Sequence, residues 1–324
     1  MLLDIEHRIQ FSYDDYISES WIELIMEPRM TERQTVSSFY LAVGPPSQVF
    51  RYRDWLGNVV HHFGIAEYHD KIEVVARSVV ETEPAGIALE NVRDFIDPNE
   101  ELGPVRDFLA FGGPIQKSKA LLKFAKLLPD LSALPIGRKV QAVGDLLGKE
   151  LTYQPNVTTY RSTADEAIEK RAGVCQDFAQ VCLGILRLLG IPCRYVSGYL
   201  HITRDDHEVS ESHAWIEIYS PSHGWVGFDP THNCVPNENY VVVAVGRHYD
   251  DVPPNRGIYR GNAGETLVAE VRTRPTPKSI VALREEIGQI GLPVYAEAPT
   301  KSPHLAQIQI QDQSDQQQQQ QQLL

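Results

Sequence analysis

The 324-residue chain is short of positive charge: 30 Lys and Arg stand against 43 Asp and Glu, a formal net charge of −13. Without a dense Lys/Arg run it lacks the electrostatic footprint of proteins that hold phosphate backbones or anionic lipid. Neither nucleic acid nor a membrane surface is therefore an expected partner. Long apolar runs are missing too. The longest, such as VVVAV at 241–245, are strand-sized, far below the ~20 residues of a membrane-spanning helix. The start, MLLDIEHRIQ, is charged by its fourth residue and is not expected to be a signal peptide. Cysteine is scarce, and Cys175, Cys182, Cys193 and Cys234 are too few for a disulfide framework in a chain this long. The first three have six and ten residues between them and no C-x-x-C pair exists, so zinc spacing is missing. No acidic run alternates oxygen ligands as a calcium loop does. The expectation is a cytoplasmic protein with reduced thiols, no metal and no cofactor.

What is present is 42% hydrophobic residues, enough for more than one core. Residues 1–90 alternate with a period of two: Ile9, Phe11 and Tyr13, then Phe39, Leu41 and Val43, then Val59, His61 and Phe63 around the turn DWLGN. Short strands divided by turn residues predict a β-sandwich. A polar, Pro-dotted linker is expected at 91–104. From 105 the period lengthens. ALLKFAKLL (120–128), GRKVQAVGDLLGKEL (137–151) and the segment 174–189 place apolar residues three and four apart, as helices do. CRYVSGYL, SHAWIEIYS, WVGFDPT and NYVVVAVG then read as strands, and 259–277 as a closing hairpin. The expected order is a β-sandwich (1–90), an α+β core (105–277), a C-terminal extension with a short helix (278–298) and a disordered Gln-rich tail (299–324).

One stretch carries chemistry, RAGVCQDFA at 171–179. In the helix 174–189, Val174, Phe178, Val181, Cys182, Ile185 and Leu189 form one apolar stripe. Cys175 falls in the first turn, after Gly173, which can supply an unusual backbone angle. Free N–H groups and the macrodipole at that end favour an anion, hence a thiolate, and the same N–H groups can face an oxyanion on a substrate. A buried structural cysteine is the alternative. A nucleophile needs a base, and the base an orienting partner. With SHAWIEIYSPSHGWVGFDPT drawn as a hairpin turning at Pro221, Tyr219 faces His223 and His213 faces Asp229. Opposed residues have Cβ atoms ~4.5–5.5 Å apart, within reach for imidazole and carboxylate, whereas a one-residue slip would separate them. His232 is the rival base; it gains no cross-strand acid.

R-x-G-V-C-Q-D-F-A, S-H-A-W-I-E-I-Y and G-W-V-G-F-D-P-T, in that order, closely resemble the transglutaminase-like superfamily, in particular its bacterial branch with an N-terminal β-sandwich. LGNVVHHF and VGRHYDDVPPNRGIYRG extend the resemblance over most of the chain. It implies a papain-like α+β core, with a cysteine-bearing helix packed on an antiparallel sheet. Carried over, it implies Cys175 as nucleophile, His213 as base and acid, and Asp229 as the residue orienting His213. The implied chemistry is acyl transfer from a peptide or protein amide through a thioester. The calcium-dependent cross-linking members have further domains and metal sites not seen in this sequence, so hydrolysis is the expected outcome. Transfer to an amine and a non-catalytic binding module are the alternatives. The resemblance further implies a second oxyanion donor, for which Tyr153, Tyr160 and Gln176 are the candidates.

Overall fold

The computed structural model describes residues 1–95, 102–204, 207–276 and 308–309. In chain order the elements are β1 (Leu2–Leu24), β2 (Gln34–Gly44), β3 (Phe50–Arg53), β4 (Val59–Ile65) and β5 (His69–Thr82). Next come α1 (Lys119–Ala125), α2 (Ile136–Glu150), β6 (Thr152–Tyr153), α3 (Ala164–Lys170), β7 (Ala172–Gly173) and α4 (Cys175–Leu188). The last are β8 (Cys193–Arg204), β9 (His207–Ser220), β10 (Gly224–Phe228), β11 (Tyr240–Gly246), β12 (Asn255–Arg260), β13 (Glu265–Pro275) and β14 (Ile308–Gln309).

The alternation at the start of the chain becomes one 23-residue strand that serves both halves of the sandwich. Leu2–Tyr13 of β1 pairs antiparallel with β5 and β13, and Ser18–Leu24 pairs with β4 and β12. Between the two, Asp14, Asp15 and Tyr16 are exposed, the register shifts, and Glu19 takes a positive φ of 55°. Such an irregularity bends a strand from one sheet into the next. The halves enclose Ile9, Phe11, Ile22, Phe63, Ile72 and Tyr259.

The 259–277 hairpin, expected to close the core, instead completes this sandwich: Leu267 of β13 lies opposite Phe11 of β1, and Tyr259 of β12 opposite Ser20. Alternation identifies a strand and leaves its partner open, and here the partner lies some 250 residues away. In the tail expected to be disordered, Ile308 and Gln309 form a strand on β12. The rest of 299–324, and the extension 278–298 with its expected helix, lie outside the described residues.

The core is a four-stranded antiparallel sheet, β10-β9-β8-β11, with α4 packed on β8 and β9 and flanked by α1, α2 and α3. α4 is buried nearly all round, not along one stripe only. Gly184 lets α1 approach, because a Cβ there would lie 2.9 Å from Leu121. α3, not expected from periodicity, starts at Thr163, whose hydroxyl accepts from the Glu166 amide. T-A-D-E is an N-cap signal that the sequence does carry. Residues 91–95 of the expected linker are tied to the core through Val92 and Asp94, while Asn91, Arg93 and Phe95 stay exposed. Val92 is 1% exposed, and the carbonyls of Asp94 and Val92 accept from the amides of Ile136 and Gly137. They satisfy the free first-turn donors of α2, whose Pro135 N-cap has no side-chain acceptor.

Two buried amides clasp the domains together. Gln34 pairs with both the N–H and the C=O of Val242, and Asn58 with both those of Val245, all at 2.8–2.9 Å. Each mimics a neighbouring strand and covers the β11 edge of the core sheet. No helix among the described residues is long and apolar enough to cross a membrane.

Candidate active site

Cys175 is the first residue of α4 and is partly exposed. The approach is built by Asp177, whose Oδ2 accepts from the Val174 amide (2.7 Å) and the Thr158 hydroxyl (2.6 Å). Burial pushes this carboxyl up to about 6 against the pull of those two bonds. Gly173 is required by this carboxylate, since a Cβ there would lie 2.5 Å from Asp177 Oδ2. The unusual backbone angle falls two residues earlier, on Arg171 (φ 54°).

His213 lies on β9, opposite Gly198 of β8. A Cβ on Gly198 would be 2.5 Å from the indole of Trp215, which lies near-parallel to the His213 ring at 6.1 Å. The β9–β10 register differs from the expected one by two residues. Tyr219 faces Trp225, Glu217 faces Gly227 and Phe228 faces Ile216. The cause is the turn, which closes from Ser220 to Gly224, with Gly224 taking the left-handed φ of 68°. A two-residue slip keeps every side chain on its face. Asp229 is thus diagonal to His213, and the two still meet.

The His213 Nε2–H donates to Asp229 Oδ2 at 2.7 Å, and the same imidazole is hydrogen-bonded to Cys175. Asp229 is fully buried and accepts from four further groups: His232 Nδ1 (2.7 Å) and the Tyr240 hydroxyl (2.8 Å) on Oδ2, and the amides of Thr231 (2.8 Å) and His232 (3.4 Å) on Oδ1. A bridge between the main chains of Asp229 and Cys234 closes the loop holding His232. Burial opposes charge on both partners, and their attraction outweighs it. The His213 imidazolium is raised to about 10, and Asp229 is held well below the usual carboxylate range. Burial drives Cys182 well above the ordinary thiol range and Cys193 up to about 11, and raises Cys234.

The three sequence-predicted residues are therefore brought together. The oxyanion candidates are more scattered. The Gln176 amide donates to the Tyr160 carbonyl (2.9 Å), Tyr160 is buried with its ring 6.2 Å from Tyr249, and Tyr153 on β6 is 46% exposed. Sequence reasoning missed two neighbours, Tyr240 and Tyr195. Tyr240 reads only as a strand start. His232, named above as the rival base, is a second donor to Asp229. Tyr195, buried on β8, has its hydroxyl raised well above the usual range by burial and then by the Cys175 sulfur.

Residues 128–230 match the Transglutaminase-like superfamily, and residues 3–81 match the Bacterial transglutaminase-like N-terminal region. An uncharacterised protein of Mycobacterium leprae (strain TN) is 33% identical over 284 residues, spanning 81% of this chain and 95% of its own. A protein-glutamine gamma-glutamyltransferase of Pseudomonas aeruginosa is 32% identical over 92 residues, 26% of this chain and 14% of its own. Among solved structures, a proposed cysteine protease from Cytophaga hutchinsonii superposes with a TM-score of 0.69 over 86% of this chain and 92% of its own, at 23% identity. That likeness is one of fold.

Proposed function

Because the chain belongs to the transglutaminase-like superfamily, we propose that it is a thiol-dependent amide or peptide hydrolase working through Cys175, His213 and Asp229. The observation carrying this reading is one imidazole bonded on one side to the Cys175 thiol and on the other to a buried carboxylate. In this scheme His213 takes the thiol proton, and the sulfur attacks the amide carbon. The C–N bond breaks as His213 returns the proton to the leaving amine, and a thioester remains on Cys175. Water, deprotonated by His213, adds to the thioester and releases a carboxylic acid and the free thiol. Asp229 fixes the ring and offsets the imidazolium charge. First-turn amides of α4 face the tetrahedral oxyanion beside the sulfur. Gln176, Tyr153 and Tyr160 are the side-chain candidates for a second donor, and the Tyr195 hydroxyl joins them.

Water is the acceptor in excess at a partly exposed sulfur, which favours hydrolysis. The similarity to a gamma-glutamyltransferase favours the second reading, in which a primary amine takes the acyl group. The substrate class is a peptide or protein amide, and the four free thiols suit the reducing cytoplasm proposed as its compartment. A peptide library assayed with and without excess primary amine tests the reading. Acid products that disappear in Cys175→Ala support it. Amide products dominating whenever amine is present would replace it with the transfer reading, and turnover persisting in Cys175→Ala would refute both.

A further inference from the structure

His232 has no step in the scheme above, yet its Nδ1 lies 2.7 Å from the same Asp229 oxygen that holds His213 Nε2. The donor atoms of His213, Asp229 and His232 all fall within 4.8 Å of one another. The geometry points to a second use of this corner: a site for a borderline divalent transition metal, of which Zn2+ is the representative, bound by His213 Nε2, Asp229 Oδ2 and His232 Nδ1. Occupancy would silence the thiol, a consequence that rests on the reading of Cys175 and His213 given above. The ligand site itself stands on the side-chain geometry alone.

Two imidazoles and one carboxylate form a donor set suited to Zn2+, Cu2+ or Ni2+, as distinct from the all-oxygen shells of Ca2+ and Mg2+. Bond lengths of ~2.0–2.2 Å in a tetrahedral site place ligand atoms ~3.3 Å apart. The present nitrogen–oxygen distances of 2.7 Å must therefore open by roughly 0.6 Å, a small movement for ligands with this bond length. His232 can supply it, because its side chain is 41% exposed, whereas those of His213 and Asp229 are 4% and 0% exposed. The same exposure gives an ion its entry path and leaves a solvent-facing position for water. The carboxylate is already fixed from behind by the Tyr240 hydroxyl and the Thr231 amide, the outer-shell support that metal-bound carboxylates have.

The exchange balances simply. On each imidazole the ion takes the nitrogen that faced Asp229 Oδ2, the displaced proton passes through solvent to the other nitrogen of the same ring, both ligands stay neutral, and no electron is transferred. A metal on Nε2 therefore puts the single ring proton of His213 on Nδ1. The face toward Cys175 then donates and can no longer accept, so the thiol loses its base. The sequence hides the site, because D-x-x-H preceded across a hairpin by another histidine matches none of the usual cysteine-based spacings.

The test is calorimetric titration of the full-length, tag-free chain with ZnCl2 alone, repeated on Cys175→Ala and His232→Ala, with circular dichroism for folding. The expected result is one Zn2+ per chain, affinity within about threefold in Cys175→Ala, and a loss of at least ~tenfold in His232→Ala. His62→Ala, altering a histidine on the sandwich surface, should leave the binding unchanged. Equal affinity in His232→Ala, loss of binding in Cys175→Ala (an ion held by the thiol and His213), or no binding by the native chain would each overturn the assignment. None of these outcomes depends on turnover, so the hydrolase reading can fail while the metal site stands, and the reverse.

Discussion

Replacing Asp229 separates what this carboxylate does for the fold from what it does for the chemistry. In Asp229→Ala, the His213 Nε2–H and the Tyr240 hydroxyl lose their acceptor, and both residues are at most 9% exposed. At ~1–3 kcal/mol for each buried unsatisfied donor, the loss is about 2–6 kcal/mol. His232 and the Thr231 amide, nearer to solvent, add little. Asp229→Asn behaves differently. Its amide oxygen can take the Oδ2 place, but its NH2 then meets the Thr231 amide, which donates to Oδ1 in the native chain. One clash costs about 1–3 kcal/mol, so Asn is the milder change for stability. For rate both are severe, because both remove the charge opposite the imidazolium; the loss of an orienting acid costs up to ~10⁴ in the Ser-His-Asp enzymes. Urea titration gives the first quantity and the carboxamidomethylation rate of Cys175 the second. A Asp229→Ala chain that keeps native stability within ~0.5 kcal/mol would refute the buried-acceptor argument. One that also keeps the native labelling rate would remove Asp229 from the site.

Three further outcomes follow from buried groups. The folded His213 imidazolium titrates at about 10, and the unfolded one near 6.5. Its contribution is therefore full below pH ~6.5 and is lost as pH rises toward 10, on the order of 3–5 kcal/mol; urea titrations from pH 6 to 10 on native and His213→Ala chains check this, and parallel curves would contradict it. His7 is the opposite case: burial between the domains pushes it down to about 3. The unfolded chain binds the extra proton below pH ~6.5, so about 2 kcal/mol is lost by pH 5, and His7→Gln should flatten that acid limb. Arg187, 4% exposed, donates to the carbonyls of Phe108, Ala110, Cys193 and Arg247. Arg187→Lys cannot fork to all four and should cost at least ~2 kcal/mol in denaturant midpoint measurements, with no change in which thiol labels first.

The parts legible in the sequence are those set by local period and punctuation. The apolar spacing of Val140, Val143 and Leu147 places α2, and Val181, Cys182 and Ile185 place α4, each to within about two residues. The His213–Asp229 contact is common to the expected register and the one observed two residues away, because a shift of two preserves the face and only the pairing depends on the φ of Gly224. Long-range partners were not legible. Nothing local to Leu267 names Phe11 as its neighbour, and nothing local to Gln34 or Asn58 shows that their amides complete the edge of β11. The same limit hid Tyr240, whose hydroxyl reaches Asp229 only after β11 has folded beside β8.

In the proposed mechanism Cys175 reacts because His213 serves it. The most direct measurement is the rate of iodoacetamide labelling at pH 7, read thiol by thiol by mass spectrometry in the native chain and in His213→Ala. Cys182 and Cys193 are fully buried, and Cys234 is the solvent-exposed reference thiol. Native Cys175 is expected to label at least ~tenfold faster than Cys234, and His213→Ala to lower the Cys175 rate by at least ~tenfold while leaving Cys234 unchanged. A Cys175 rate equal to that of Cys234, or one untouched by the loss of His213, would contradict it.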